Sequence, residues 1–407
     1  MRQKLVIVGA GMAAGRLLDR LSAAPARYDI TLVNAEPRGS YNRIMLSPVL
    51  AGDKAFADIV THDEAWYRAQ GITCQFGQRV DTLDRDGKLV TLSDGTALPY
   101  DRLVLATGSM PFMPPLPGIG LAGVISYRDL EDTRTMMDLR AGQRAVVLGG
   151  GLLGLEAAAG MAARGIKVSV VHLNTHLMER QLDAEASALL RTELEARGIN
   201  IHCGAQSQSI VGSDGRVQAL RLEDGRDLPC DLLVIATGIR PSVALAQSAG
   251  LTTARGVTVD DRMTTSDPAI LAIGECTEHR GQTFGLVAPV FDQADVAARI
   301  LAGQEATFTP REISAKLKVT GCDLFSAGDF DGGRDTETIV LRDPARSRYR
   351  RLVLRDNRII GIVLYGDTSD GPWFFDLMKA RADVSLMRDA LIFGQAYAAA
   401  SRHGMAA

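Results

Sequence analysis

The stretch Arg144-Ala145-Val146-Val147-Leu148-Gly149-Gly150-Gly151-Leu152-Leu153-Gly154-Leu155-Glu156 decides the fold. Its apolar run 145–148 suits a strand buried on both faces. The run leads directly into Gly149-x-Gly151-x-x-Gly154 and an Ala-rich helix over 156–163. Strand, glycine loop and helix in that order form a dinucleotide fingerprint. Gly149 permits the tight turn, Gly151 lets the backbone approach a pyrophosphate, and Gly154 lets helix and strand pack closely. The helix N-terminus offers unpaired N–H groups to the phosphates.

A second copy opens the chain. Residues 4–8 read as a strand, followed by Gly9-Ala10-Gly11-Met12-Ala13-Ala14-Gly15, with Ala14 in the third glycine's place. A helix with Leu17, Leu18 and Leu21 on one face and a strand over 30–33 complete the unit. The acidic ribose ligand expected about 20 residues on is displaced. The strand ends on Asn34 and the nearest carboxylate is Glu36, which is read as the ribose ligand, a solvated loop glutamate being the alternative.

Each fingerprint is closed alike. The segments 100–109 and 230–241 are apolar strands ending in Ala106-Thr107-Gly108 and Ala236-Thr237-Gly238. Two modules with the same opening and close imply two nucleotides. Residues 265–275 add a strand ending in Gly274-Glu275, a carboxylate placed to accept hydrogen bonds from a polyol such as a ribityl chain. Ala288-Pro289-Val290 leads into a helix over 292–300, whose N-terminus suits negative charge on a reduced flavin ring. After Thr309 short strands (317–319, 338–342, 349–354, 359–365) and a helix over 376–387 indicate a third, antiparallel domain. The expected fold is α/β: two Rossmann-like dinucleotide-binding domains plus a smaller α+β C-terminal domain.

Composition removes several classes. With 407 residues, 46% of them hydrophobic, and a net charge of −3 from interspersed charges, neither nucleic acid nor an anionic membrane is indicated as a partner. No apolar run reaches the ~20 residues of a membrane span, and residues 5–10 lead into a glycine loop rather than a cleavage site, so the cytoplasm is the expected compartment. Cys74, Cys203, Cys230, Cys276 and Cys322 are far apart and form no C-x-x-C, which supports no disulfide framework, redox dithiol, metal centre or cluster.

The two fingerprints, the two Ala-Thr-Gly strands and the 265–275 motif resemble the FAD- and NAD(P)H-binding oxidoreductases of the glutathione-reductase class. Within that class the chain is most similar to ferredoxin and rubredoxin reductases, above all to the N-terminal flavin part of the NAD(P)H-dependent assimilatory nitrite reductase large subunit. The stretches 40–48, 177–183, 317–321 and 365–373 carry that likeness. The resemblance implies that the first fingerprint holds FAD and the second the nicotinamide. It implies a discontinuous FAD domain over 1–111 and 240–308, an NAD(P)H domain over 112–239 between them, and a C-terminal domain over 309–407. Gly9, Gly11, Ala14, Glu36, Arg43, Ser47, Val80, Ala106, Thr107, Gly108 and Glu275 would line the FAD site. Gly149, Gly151, Leu152, Leu153, Gly154, Glu156, His172, Ala236, Thr237 and Gly238 would line the nicotinamide site, with the Glu156 carboxylate near the nicotinamide carboxamide; its simpler role is N-terminal helix charge.

The departures matter equally. Where the disulfide-reductase and NADH-oxidase branches need cysteine, this chain has Ile44 and Met45. The chain reaches Ala407 without the cluster cysteines that precede a sirohaem domain, so nitrite is not expected to be reduced on it. The strand 167–171 is followed by His172, not the acidic residue of an NAD-preferring protein, and no arginine clamp is evident, so coenzyme preference stays open. His62, His172, His176, His202, His279 and His403 form no catalytic constellation and read as surface or packing residues.

The leading expectation is an electron-transfer flavoprotein that takes hydride from NAD(P)H and passes electrons to a separate redox protein. That acceptor is expected to be a component of nitrate or nitrite assimilation, or a haem, ferredoxin-type or rubredoxin-type carrier. Two rivals are an NAD(P)H oxidase and a non-catalytic flavin redox sensor signalling through Trp373-Phe374-Phe375, residues that read more simply as core. Oligomeric state is left open.

Overall fold

The computed structural model describes residues 2–23, 27–311, 314–319 and 321–404; Thr320 and the side chains of residues 315, 317–319 and 400–404, among them Leu317, Lys318, Val319 and His403, lie outside the described residues. The chain forms two compact units. One comprises Met1–Phe112, Arg128–Leu130 and Gly238–Arg311, the other Met113–Tyr127, Glu131–Thr237 and Glu312–Ala407.

In the first unit, strand Gln3–Val8 ends in four buried aliphatic residues. It lies at the centre of a parallel sheet ordered Ile270–Ala272, Arg102–Leu105, Gln3–Val8, Tyr28–Asn34, Thr73–Phe76. Leu5, Ile7, Leu103 and Val104 are fully buried, each worth roughly 1.5–3 kcal/mol of transfer free energy. Helix Met12–Ser22 buries Leu17 and Leu18 and packs along helix Val287–Leu301. Arg16 and Arg20 of the former both reach Asp295 of the latter at 2.8 Å. The second helix begins at Val287, ahead of the 292 expected. Pro289 falls in its first turn, where a missing N–H breaks no intrahelical bond.

The second unit repeats the plan. Its parallel sheet runs Asn200–Cys203, Lys167–His172, Arg144–Leu148, Leu232–Ile235, Val124–Ser126, with the fingerprint strand again central and the Ala-Thr-Gly strand beside it. The C-terminal part forms an antiparallel sheet ordered Ser314–Val319, Cys322–Gly328, Arg358–Tyr365, Arg348–Arg355, Glu337–Asp343. Strand Cys322–Gly328 is absent from the sequence reading because its Ser326 and Gly328 mask the apolar pattern. The expected helix over 376–387 is instead Gly371–Lys379, with Pro372 in the first turn. It stops short of Arg381, whose φ of 48° is left-handed. Phe374 is fully buried, and Trp373 and Phe375 pack against the same core, as their apolar character implies.

Asp183 joins the two parts of this unit. Its carboxylate accepts from the Ala186 N–H and so caps helix Ala184–Ala196; it also accepts from the Tyr349 hydroxyl at 2.6 Å and pairs with Arg351 at 3.4 Å. Among the described residues no helix is long and apolar enough to cross a membrane.

Candidate functional site

The two fingerprints are built from the same backbone bonds. Gly9 N–H donates to Val33 C=O and Gly149 N–H to Val171 C=O, each at 2.8 Å; Ala106 N–H donates to Val8 C=O and Ala236 N–H to Leu148 C=O, also at 2.8 Å. These bonds hold each glycine loop against the Ala-Thr-Gly turn of the neighbouring strand. Both first glycines are left-handed (φ 102° and 129°), and a Cβ there would lie 2.3 Å from Ala106 O or 2.2 Å from Ala236 O. Only glycine meets both demands.

Both loops open onto a place for phosphate. A Cβ added at Gly11 or Gly151 would meet nothing within 4 Å. The helices that start there, Met12–Ser22 and Leu152–Ala163, have no side-chain cap and no acidic residue in the first turn. Their first N–H groups and positive dipole ends therefore face open space, which fits a dinucleotide pyrophosphate.

In the first unit the expected FAD residues fall into linked groups. Glu36 accepts from the Tyr41 hydroxyl at 2.9 Å and pairs closely with Arg43, whose guanidinium also donates to the Arg128 carbonyl at 3.1 Å. Burial holds the Tyr41 phenol above its ordinary range and keeps it a donor. Glu36 is thus engaged inside the protein, and a ribose would use its remaining lone pairs. Gly77 N–H donates to Glu36 O and Gln78 N–H to Asn34 O, which brings the buried Val80 to the edge of the same loop. Ser47 is buried in helix Leu46–Ala51, and Thr107 donates its hydroxyl proton to Ser242 O at 3.0 Å. Ala14, in the third glycine's place, is fully buried.

Glu275 sits in a cluster the sequence reading did not assemble. Its Oε2 accepts from Arg128 at 2.6 Å and from the Ser109 hydroxyl at 2.7 Å. A Cβ at Gly108 would lie 3.5 Å from the Arg128 guanidinium, so Arg128 links the Ala-Thr-Gly turn, Glu275 and Arg43. Helix Val287–Leu301 likewise begins without a side-chain cap or an early acidic residue. Apolar Met110, Ile239 and Leu286 are exposed in this unit, and a Cβ at Gly285 would touch Ile239 at 3.8 Å. A carboxylate held by Arg128 and Ser109, an uncapped helix start and exposed apolar side chains are chemically compatible with a flavin.

In the second unit Leu152, Leu153 and Glu156 lie on the first turns of helix Leu152–Ala163, with Leu153 exposed and Glu156 half-buried. Gly154 is obligatory here, because a Cβ would meet Gly149 O at 2.1 Å. Ala236 and Thr237 follow strand Leu232–Ile235, and Gly238 falls in the first unit. His172 is buried; its Nδ1 accepts from the Gly150 N–H at 3.1 Å and its Nε2 faces Glu179 at 3.0 Å. Two other histidines also meet carboxylates, His62 with Asp19 and His279 with Asp261, both at 2.8 Å. These pairs bind elements together across loops, a role invisible in sequence spacing.

Residues 3–299 match the family model for pyridine nucleotide-disulphide oxidoreductases. The chain belongs to that family. Residues 314–382 match the rubredoxin NAD+ reductase C-terminal domain. The chain is 44% identical over 387 residues to a nitrite reductase [NAD(P)H] of Bacillus subtilis (strain 168), covering 94% of this chain and 48% of that protein. It is 37% identical over 394 residues to the assimilatory nitrate reductase electron transfer subunit of the same organism, covering 96% and 51%. The chain thus spans about half the length of these curated relatives. The putidaredoxin reductase–putidaredoxin covalent complex has a similar structure, with a TM-score of 0.86 at 28% identity, covering 98% of this chain and 99% of that one. The chain is an NAD(P)H oxidoreductase of this family, with FAD and NAD(P)H as its cofactors.

Proposed function

We propose that this chain is the flavin-bearing part of an electron-transfer system: it takes hydride from NAD(P)H and delivers electrons to a separate redox protein of nitrate or nitrite assimilation. FAD, when bound, supplies the step from two-electron to one-electron chemistry. The observation that carries the reading is the pair of identically bonded fingerprints, with the Arg128–Ser109–Glu275 cluster beside the first.

In this reading the first unit holds FAD through Gly9, Gly11, Ala14, Glu36, Arg43, Ser47, Val80, Ala106, Thr107, Gly108 and Glu275. Gly149, Gly151, Leu152, Leu153, Gly154, Glu156, Ala236, Thr237 and Gly238 take the nicotinamide coenzyme. The FAD domain runs over 1–111 and 240–308, the coenzyme domain over 112–239 and a C-terminal domain over 309–407. The protein works in the cytoplasm. The likeness to a nitrate reductase electron transfer subunit supports the acceptor class. A second reading, a stand-alone reductase for a ferredoxin- or rubredoxin-type carrier, is supported by the rubredoxin reductase C-terminal domain match and the putidaredoxin complex.

The test is anaerobic. Holoprotein reduced by NADH or NADPH should lose its yellow colour and regain it when an oxidised carrier is added, with little turnover of nitrite alone. A coenzyme-reduced protein that no carrier reoxidises, or one that oxygen alone reoxidises rapidly, contradicts the proposal.

A further inference from the structure

The second fingerprint loop is tied to the strand end at His172 and to the turn over residues 177–179. Gly150 donates its N–H to His172 Nδ1 at 3.1 Å and accepts through its carbonyl from the Met178 N–H at 3.0 Å. A Cβ at Gly150 would come within 2.7 Å of both His172 Cγ and Leu177 Cδ2, so the loop, the strand end and the turn 177–179 are in direct contact. Leu177 and Met178 are buried beneath the loop, and Met178 takes a left-handed φ of 54°. The next residue, Glu179, is brought back to the end of strand Lys167–His172, the place where the chain itself provides no acid.

Its carboxylate is fixed there on both sides. Because the Gly150 N–H can only donate, His172 Nδ1 is the acceptor, and the ring proton lies on Nε2, directed at Glu179 Oε2. Asn174 Nδ2 donates to Glu179 Oε1 at 2.7 Å. Burial alone would raise the Glu179 carboxyl, but a backbone N–H together with His172 and Asn174 more than offset it and hold it below its ordinary range. The carboxylate still keeps 31% of its side-chain surface exposed, so it is held firmly and faces outward. In such folds the pyrophosphate lies on the glycine loop and the adenosine ribose beyond the neighbouring strand end, where a carboxylate accepts from a 2′-hydroxyl and an arginine would accommodate a 2′-phosphate.

We propose that Glu179 selects the coenzyme: positioned by His172 and Asn174, its carboxylate accepts the ribose 2′-hydroxyl of NADH and repels the 2′-phosphate of NADPH. The proposal rests on the reading that the second fingerprint holds the nicotinamide coenzyme. His172 is then a positioning residue, since both its nitrogens are used inside the protein. The neighbouring Arg180 is exposed and is a group that would argue the other way.

The test is equilibrium binding of NAD+ and of NADP+ to oxidised holoprotein by calorimetry, which does not depend on turnover. Wild type should bind NAD+ at least roughly tenfold more tightly than NADP+, the scale set by placing like charges together. Glu179→Gln, which keeps the shape and removes the charge, should narrow that ratio mainly by tightening NADP+, and Arg180→Ala should leave it unchanged. Wild type binding NADP+ as tightly as NAD+ overturns the proposal. So does a ratio that Glu179→Gln leaves intact, or tight NADP+ binding lost in Arg180→Ala. Failure of both coenzymes to bind would instead overturn the assignment of the second fingerprint, and this proposal with it.

Discussion

Nδ1 of His172 accepts the Gly150 backbone N–H at 3.1 Å, and in the other unit Oδ1 of Asn34 accepts the Ala10 N–H at 3.3 Å. The two pairs hold the same place in the two fingerprints: the middle residue of G-x-G donates to the side chain that ends the neighbouring strand. In each module this side chain locks the loop in the shape that opens it to phosphate. What differs is the partner behind it: His172 faces the Glu179 carboxylate at 3.0 Å, whereas Asn34 Nδ2 donates to the Arg38 carbonyl at 2.7 Å.

The Gly150 contacts make a direct prediction for Gly150→Ala. The new methyl would collide with His172 and Leu177, both buried. Overpacking of this kind costs about 1–3 kcal/mol. Thermal denaturation should show the loss, and coenzyme binding should weaken while the flavin content stays at wild-type level. An unchanged melting temperature would show that the turn 177–179 yields freely.

Arg128→Ala should weaken FAD binding. The substitution leaves the partly buried Glu275 with Ser109 but without its charged partner. Stranding a partly buried polar group costs about 1–3 kcal/mol, or roughly 5- to 150-fold in affinity. Titration of FAD into the apoprotein reads the change, and Arg128→Lys should recover part of it. Full retention of flavin affinity would remove Arg128 from the site.

The thiols should be inert. Burial pushes the Cys230 thiol up to about 12 and Cys74 up to about 11, and it raises the fully buried Cys276 as well. Thiolate is the reactive form. Native protein treated with iodoacetamide at neutral pH should therefore keep its rate of flavin reduction by coenzyme, and mass spectrometry should find these three cysteines unmodified. Rapid inactivation would point to cysteine chemistry after all.

Asp295 contributes to the acid limb of stability. Burial raises its carboxyl, but hydrogen bonds from Arg20 and Arg16 outweigh this and lower it. A depressed carboxyl contributes stability that is fully present above the unfolded value of about 3.9 and is lost as pH falls through the folded one. Asp295→Asn should lower stability at neutral pH by at most about 1 kcal/mol, since the cluster is partly solvated. The gap between variant and wild type in urea denaturation should close below about pH 4. A gap that widens on acidification would reverse the assignment.

Much of the architecture was legible because it is local. Glycine spacing, buried strand runs and the repeated Ala-Thr-Gly ends are properties of a few consecutive residues, and they specify both parallel sheets. What escaped is what the chain assembles at a distance. Arg128 lies in the ordinary stretch Ser126-Tyr127-Arg128-Asp129 and meets Glu275 147 positions later. Glu179 reaches His172 only because Met178 turns left-handed beneath the loop. Two helices begin about one turn earlier than the sequence indicates, at Val287 and Gly371, each with a proline in the first turn, where its missing N–H breaks no intrahelical bond. Strand Cys322–Gly328 was hidden by its polar and glycine positions, although partners on both sides bury it.

The division of labour between the two fingerprints is the central claim, and Glu156→Ala tests it most directly. Glu156 lies on the first turns of the helix that starts at the second loop. Measured by anaerobic rapid mixing with NADH, the variant should keep its full complement of yellow flavin and show clearly slower loss of colour than wild type. A variant that loses FAD while still binding coenzyme would mean that the two modules have been assigned the wrong way round.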